Sequence, residues 1–456
     1  MKSRSEDVTK EISNYPRVLI FGQPFNNFSG GGITLTNLFK GWPKDKIAVA
    51  FLGHGLFNVT TDICHTYYQL GREEHKWIFP LNLIQRKFES GLKNLTPAME
   101  VPINHIQKGL RYQLVNDIFY PFLRWIGVFH FASRLILSER FRNWLIEFKP
   151  EILYLQVSTR EEIRFANELI DFQDWPSVIH IMDDWPSTIS NKGPLKRFWE
   201  RKIDSELKSL LEKIDLHLSI SAAMSAEYLK RYGKTFLPFH NPIETDSWLI
   251  HSKKEFSPGN DTIRILYSGR LGIGVTESVV EVASVLESLN ADGYKVKFHI
   301  QTPTREPKIL SRLNKFNTVI INPFADLKDI PTIFSGADIL VLANDFSKEG
   351  LDYLKFSMPT KASEYMISGT PILVYSPEET AVSAFFKQNE CGLVVTRHDR
   401  EALLEAFKFI IDNKGYREKI SKNAVRYAKE KFDAQKVRHA FQHLIKNMGK
   451  NRKYVQ

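Results

Sequence analysis

The chain has 456 residues, 43% of them hydrophobic and 25% charged. That is a globular balance, and the length exceeds what one core supports, so two domains of roughly 200 residues are expected. Two widely separated cysteines, Cys64 and Cys391, exclude a disulfide framework and a cysteine-rich zinc site, while a formal net charge of +10 calls for an anionic partner.

The opening MKSRSEDVTKEISNYP is charged and lacks the apolar stretch of a secretory signal, so a cytoplasmic protein is expected. RVLIFG (Arg17 to Gly22) is a buried-strand candidate, followed by a glycine-rich turn and a helix from about Thr34 to Lys40. Further strands are expected at Ile47–Leu52, Glu151–Val157, Ser177–Met182, Asp215–Ile220 and Thr235–Phe239. Residues 69–148 break the rhythm. This stretch is aromatic, basic and helical in pattern, and reads as an insertion. Its window IFYPFLRWIGVFHFASRLILS contains Arg124, His130, Arg134 and a proline, which suits a membrane-spanning helix poorly. It fits either an interfacial anchor or the core of an inserted helical pair.

The polar run HSKKEFSPGND (His251 to Asp261) marks the domain boundary. A second strand series follows: IRILYS from Ile263, VKFHIQ from Val296, VIIN from Val319, ILVL from Ile339, PILV from Pro371 and GLVV from Gly392. The domains so drawn are 1–245, with the insertion at about 69–148, then 246–430, then a C-terminal helix, 431–456, that packs back on the first domain. Alternating strands and helices in two series give an α/β protein with two Rossmann-like domains facing across a cleft. Ligands of such sheets bind beyond the carboxyl ends of the strands.

Three motifs fall just after strands. In NNFSGGGITLTNLF, Gly31 and Gly32 let the backbone approach a phosphate or sugar, or merely form a tight turn. In YSGRLGIGVTES, Gly269 and Arg270 end a strand, where a guanidinium can grip phosphate oxygens or make a surface pair. In MPTKASEYMISGTPILV, Pro359 and Thr360 open a helix at Lys361, with Thr360 as its N-cap. First-turn amides and Lys361 make an anion site, and Glu364, one turn on, can accept hydrogen bonds from a ribose diol. The bland alternative is an i,i+3 ion pair between Lys361 and Glu364. Asp183 and Asp184 in IMDDWP offer an acceptor-site group, a divalent metal site, or a turn in which Asp184 caps the residues before Pro186. No metal is the preferred reading.

The string MPTKASEYMISGTPILVYSPEETA resembles the donor-site signature of family-four, GT-B type retaining glycosyltransferases, closest to the bacterial polysaccharide-building subgroup. YSGRLG, FSGGGIT, IHIMDDWPST and LSISAAMSAEYLKRYG are similar to other segments of that family. The resemblance implies that Glu364 binds the nucleotide ribose, that Arg270 and Lys361 steady the diphosphate, and that Gly31 and Gly32 approach it from the first domain. It also implies an acceptor-side role for Asp183 and retention of configuration. Two positions depart from the pattern: Phe356 stands where a glutamate that touches the donor sugar is common, and Thr276 where a lysine is common.

The expected activity is transfer of a hexosyl-type residue from a nucleotide diphosphate sugar, as co-substrate and with no further cofactor, to a saccharide or lipid-linked saccharide acceptor. Exopolysaccharide or other cell-surface polysaccharide synthesis at the inner face of the plasma membrane, with peripheral contact to anionic lipid, is the implied setting. No nucleic-acid partner is expected, since the zinc-finger spacings, RNA-recognition signatures and long Lys/Arg blocks of such proteins are missing. The alternatives are a nucleotide-sugar epimerase of the same fold and a non-catalytic nucleotide-sugar-binding protein.

Overall fold

The computed structural model describes residues 15–27, 29–52, 59–83, 88–95, 119–187, 193–256, 262–323 and 325–451. The charged opening, Phe28 of the glycine motif, residues 84–87 and 96–118 of the inserted stretch, and 257–261 of the polar linker lie outside these. The chain divides into two compact units, Met1–Phe239 with Arg438–Gln456, and His240–Val437.

The first unit is built on strands β1 (Val18–Phe21), β2 (Ile47–Leu52), β3 (Thr66–Leu70), β4 (His75–Trp77), β5 (Gly91–Asn94), β6 (Ser133–Leu135), β7 (Ile152–Leu155), β8 (Ser177–Ile181), β9 (Leu216–Ser219) and β10 (Leu237–Pro238). Eight of them form one sheet in the order β10-β9-β8-β7-β1-β2-β3-β5, parallel except where β5 runs against β3. VLIF of β1 and ILYL of β7 are buried throughout, the continuous apolar run that a parallel sheet covered on both faces requires. The chain builds outward from β1 in one direction, then returns to β7 on its other side, so the strand order reverses between β1 and β7. Gly22 follows β1 at that point with φ +113°, and any Cβ there would run into the Gln156 carbonyl beyond β7.

The inserted stretch is not purely helical. Besides helices at Tyr120–Trp125, Phe129–Ala132 and Glu139–Phe148, it holds β5 and the antiparallel pair β4–β6. The strand partners are far apart in sequence, Trp77 opposite Ser133, so local periodicity could not reveal them. Leu81, Leu123 and Ala132 form a small buried cluster, whereas Phe79, Phe122, Trp125 and Phe131 are exposed.

Helix α1 (Gly30–Phe39) follows β1, and α2 (Ala222–Tyr232) follows β9. The second unit contains strands β11 (Ile263–Ser268), β12 (Val296–Gln301), β13 (Val319–Asn322), β14 (Ile339–Ala343), β15 (Ile372–Tyr375) and β16 (Leu393–Val395). They form one parallel sheet in the order β13-β12-β11-β14-β15-β16, with the reversal between β11 and β14. Alternate strand residues serve opposite cores: Ile265, Tyr267, Val341 and Leu373 pack on one face, Leu266, Leu340, Leu342 and Val374 on the other. Its helices include α3 (Thr276–Ala291), α4 (Lys348–Leu354), α5 (Lys361–Ile367) and α6 (Lys414–Lys431); a last helix, α7 (Ala434–Asn451), carries the chain back to the first unit. There Arg438 donates to the Asn37 carbonyl at 2.9 Å, and Gln442 to the Lys40 carbonyl at 3.0 Å, so α7 satisfies the open C-terminal end of α1.

Candidate active site

Beyond the carboxyl end of β11, at the reversal of the second sheet, the chain reads Tyr267-Ser268-Gly269-Arg270. Helix α5 holds this corner at two points. Lys361 Nζ donates to the Ser268 carbonyl at 2.7 Å and lies 4.0 Å from the centre of the Tyr267 ring. Ser268 N–H donates to the Tyr365 hydroxyl at 2.9 Å. Gly269, at φ +151°, leaves the space this needs: a Cβ there would sit 2.5 Å from Lys361 Nζ. Tyr267 closes the corner by donating its hydroxyl to the Arg270 carbonyl at 3.0 Å. The Arg270 guanidinium itself is exposed and makes no hydrogen bond or ion pair among the described residues.

Glu364 sits one turn along α5 from Lys361. The two do not form a salt bridge, and the Glu364 carboxylate has no hydrogen-bond partner among the described residues. The residues are only partly covered, but protein displaces most water from their ionisable ends. Burial therefore pushes the Lys361 ammonium down to about 7, opposed by Glu364, and pushes the Glu364 carboxyl up to about 7, opposed by Lys361. Thr360 occupies the N-cap position of α5 but in helical conformation, φ −53° and ψ −37°, and its side chain caps nothing. The N-cap expectation is corrected on that ground. A capping hydroxyl needs an extended backbone to reach N2 or N3, and here the chain already turns helically from Pro359.

The other half of this corner carries no motif in the sequence. Just past β14, Asp345 is buried, accepts from Ser278 N–H at 2.8 Å in the first turn of α3, and donates its own N–H to Gly274. A carboxylate from another strand thus caps α3, and that end is not left open to a diphosphate. Thr276, where a lysine was noted as common, instead donates back to the Gly272 carbonyl at 2.9 Å. Positive charge at the corner comes from Arg270 and, in its protonated form, from Lys361. Phe356 carries the neighbouring Lys355 ammonium 5.3 Å from its ring centre.

In the first unit, the glycine motif is not a loop before a helix at Thr34. Helix α1 begins at Gly30, so Gly30, Gly31 and Gly32 form its first turn. Ser29 supplies the cap, accepting from Gly32 N–H at 3.1 Å while its own N–H and hydroxyl donate to Asn26 Oδ1. Glycine is a poor helix former, and this cap outweighs that propensity. A side chain at Gly32 would overlap Asn26, whereas Gly31 has only Met182 Sδ and Gln23 near by, at 3.4 and 3.7 Å. Gly31 is the position at which the backbone could be approached.

The Asp183–Asp184 pair separates into two roles. Asp184 is buried and accepts both Arg231 nitrogens at 2.9 Å, the Tyr228 hydroxyl at 3.0 Å and the Ser187 hydroxyl at 2.7 Å. That saturates its carboxylate and fixes the turn before Pro186 to α2. Asp183 is exposed. Groups of three or more residues able to hold a metal ion are not found among the described residues.

Comparison with known proteins was decisive for the second unit. Residues 251–427 match the family model of glycosyl transferases group 1. The protein is a glycosyltransferase. Solved structures agree in fold over nearly the whole enzyme. Sucrose-phosphate synthase from Thermosynechococcus elongatus is 12% identical with a TM-score of 0.58, covering 94% of this chain and 98% of its own. HepE of Anabaena, in complex with UDP and glucose, is 14% identical with a TM-score of 0.59, covering 94% and 99%. A glycosyltransferase from Rickettsia africae is 11% identical with a TM-score of 0.59, covering 96% and 99%. These place the enzyme in the GT-B fold, an α/β architecture of two parallel-sheet units. No curated protein matches the sequence.

Proposed function

We propose that the enzyme transfers a hexosyl-type residue from a nucleotide diphosphate sugar to a saccharide or lipid-linked saccharide acceptor, with retention, in cell-surface polysaccharide synthesis. The observation that carries this reading is the corner of β11 and α5. It presents an ammonium held in place by Ser268 and Tyr267, a guanidinium and, one helical turn away, a carboxylate, the last two with no hydrogen-bond partner among the described residues. Lys361 and Arg270 meet the two phosphates, and Glu364 accepts from the ribose hydroxyls. Solved structures of the same fold in complex with UDP and glucose, and with UDP-glucose, support a nucleotide sugar as donor.

The chemical difficulty is departure of the diphosphate as positive charge grows at the anomeric carbon. Cations held before the reaction, as Lys361 is by Ser268 and Tyr267, stabilise the leaving charge without reorganising. In the second unit Gly269, Pro359 and Thr360 line the backbone side of the donor; in the first, Gly31 and Gly32 are assigned to the donor phosphates and the exposed Asp183 to the acceptor. The exposed Phe79, Phe122, Trp125 and Phe131 support contact with a membrane interface that would carry a lipid-linked acceptor. No helix among the described residues is long and apolar enough to cross a membrane.

The test is transfer by Glu364→Ala and Arg270→Ala, with folding checked by melting temperature and donor class chosen by thermal shift across nucleotide diphosphate sugars. Loss of transfer in both, with the fold intact, is expected. Full activity in both would remove the site assignment.

A further inference from the structure

The second unit has another pocket, at the far end of α5. It encloses about 650 Å³ between the linker at Ser252–Phe256, the face of α6 that carries Ser421, Val425 and Arg426, and Lys436 of α7. Its walls are fixed by specific contacts. Gly369, at φ +72°, ends α5 and lets the linker pass close: a Cβ there would meet Ser252 Oγ at 2.6 Å. Lys253 N–H donates to the Ser368 carbonyl at 2.7 Å, and Arg417 of α6 donates to the Phe256 carbonyl at 2.7 Å.

The lining is strongly one-signed. Lys253, Lys254, Lys422, Arg426, Lys429 and Lys436 face a single carboxylate, Glu430. Three of the cations are engaged: Lys253 bonds the Ala337 carbonyl at 2.9 Å, Lys436 the Lys429 carbonyl at 3.4 Å, and Lys422 lies 3.8 Å from Glu418. The side chains of Lys254, Arg426 and Lys429 make no hydrogen bond or ion pair among the described residues. A basic stripe on a helix is ordinarily just a solvated face. A second, independent feature argues otherwise here. Ser421 is 2% exposed, lines the pocket, and its hydroxyl has no hydrogen-bond partner among the described residues. Helical serines readily bond the carbonyl four residues back, and a buried hydroxyl left unmatched is costly. A donor beneath converging cations is what a phosphate oxygen uses.

We propose that this pocket is an anion site for a phosphate-bearing ligand, separate from the donor corner at the other end of α5. Arg426 and Lys429 provide the charge, Ser421 donates one hydrogen bond, and Phe256 and Val425 give an apolar wall for whatever carries the phosphate. A soluble phosphate ester and a lipid headgroup share this chemistry.

Calorimetric titration with inorganic pyrophosphate tests it, using the full chain. Wild type and Arg270→Ala are expected to bind at this site, and the double variant Arg426→Glu/Lys429→Glu to lose that binding by at least tenfold. Lys308→Glu/Lys315→Glu makes the same change in net charge elsewhere and is expected to bind like wild type. Ser421→Ala is expected to bind several-fold more weakly with an unchanged or raised melting temperature. Co-sedimentation with phosphatidylglycerol vesicles, against phosphatidylcholine alone, identifies the source: vesicle binding lost in the Arg426/Lys429 variant supports a lipid headgroup, and pyrophosphate binding without vesicle binding supports a soluble ligand. The proposal is overturned if neither probe binds, if the Arg426/Lys429 variant binds like wild type, or if the Lys308/Lys315 variant loses binding equally. A Ser421→Ala protein of unchanged affinity and lower melting temperature also counts against it.

Discussion

Gly269 and Lys361 are fitted to one another: the ammonium lies where the first side-chain atom of any other residue at 269 would have to go. The strand end can therefore carry a lysine against its own carbonyl only with glycine at that position. Gly269→Ala is expected to displace Lys361 from Ser268 and to strain a backbone at φ +151°. Donor affinity should fall at least tenfold, about 1.4 kcal/mol, with a modest loss of melting temperature. Titration of the donor nucleotide into the variant measures this, and wild-type affinity there would detach Lys361 from donor binding.

The second expectation concerns pH. Burial brings the Lys361 ammonium down to about 7 and the Glu364 carboxyl up to about 7, so near neutrality the two hold about one proton between them. A diphosphate favours the ammonium and a ribose diol favours the carboxylate, so donor binding drives that proton onto Lys361. Above neutrality the lysine is lost, and below it the carboxylate is lost. Donor affinity should follow a narrow bell centred near pH 7. Glu364→Gln should abolish the acid limb only and Lys361→Met the alkaline limb only. A flat profile from pH 6 to 9 in the wild type would contradict the pairing.

Much of this was legible in the sequence. IRILYS coincides with β11 and VKFHIQ with β12; in VKFHIQ the apolar Val296, Phe298 and Ile300 alternate with polar residues, the period of two that marks a strand. The start of α5 at Lys361 was readable from the proline two residues before it, and Gly369 marked its end. What escaped was whatever depends on a partner distant in sequence. The lock on Asp184 comes from Arg231 on α2, and the cap of α3 from Asp345, 67 residues after the amide it accepts from. The early start of α1 escaped for another reason: three glycines read as a loop unless the Ser29–Asn26 cap is known.

Acid sensitivity should come in part from His180. It is 2% exposed, its Nδ1 lies 2.6 Å from the Tyr154 hydroxyl, and burial pushes its pKa down to about 3. The unfolded chain binds this proton below about pH 6.5, while the folded protein stays neutral there. The contribution is therefore fully present above pH 6.5 and is lost as pH falls toward 3, by about 1.4 kcal/mol per pH unit. Urea unfolding between pH 6.5 and 5 reads the slope, and His180→Asn should make it shallower by about that amount. An unchanged slope would mean the histidine protonates without cost.

The two adjacent aspartates should respond to substitution in opposite ways. Arg231→Ala leaves the Asp184 carboxylate buried with only two hydroxyl donors, and uncompensated buried charge of this kind costs roughly 3–5 kcal/mol. Asp184→Asn should be milder, since an amide can keep one bond to Arg231 and its desolvation cost is lower. Asp183→Asn changes an exposed carboxylate and should cost far less stability than Arg231→Ala. If Asp183 serves the acceptor, that same variant should raise the acceptor KM or lower kcat while donor affinity stays at its wild-type value. Chemical denaturation combined with steady-state kinetics on both substrates separates the two residues. A stable Arg231→Ala protein would contradict the structural role of Asp184, and an Asp183→Asn enzyme with unaltered kinetics would leave the acceptor side to other groups of the first unit.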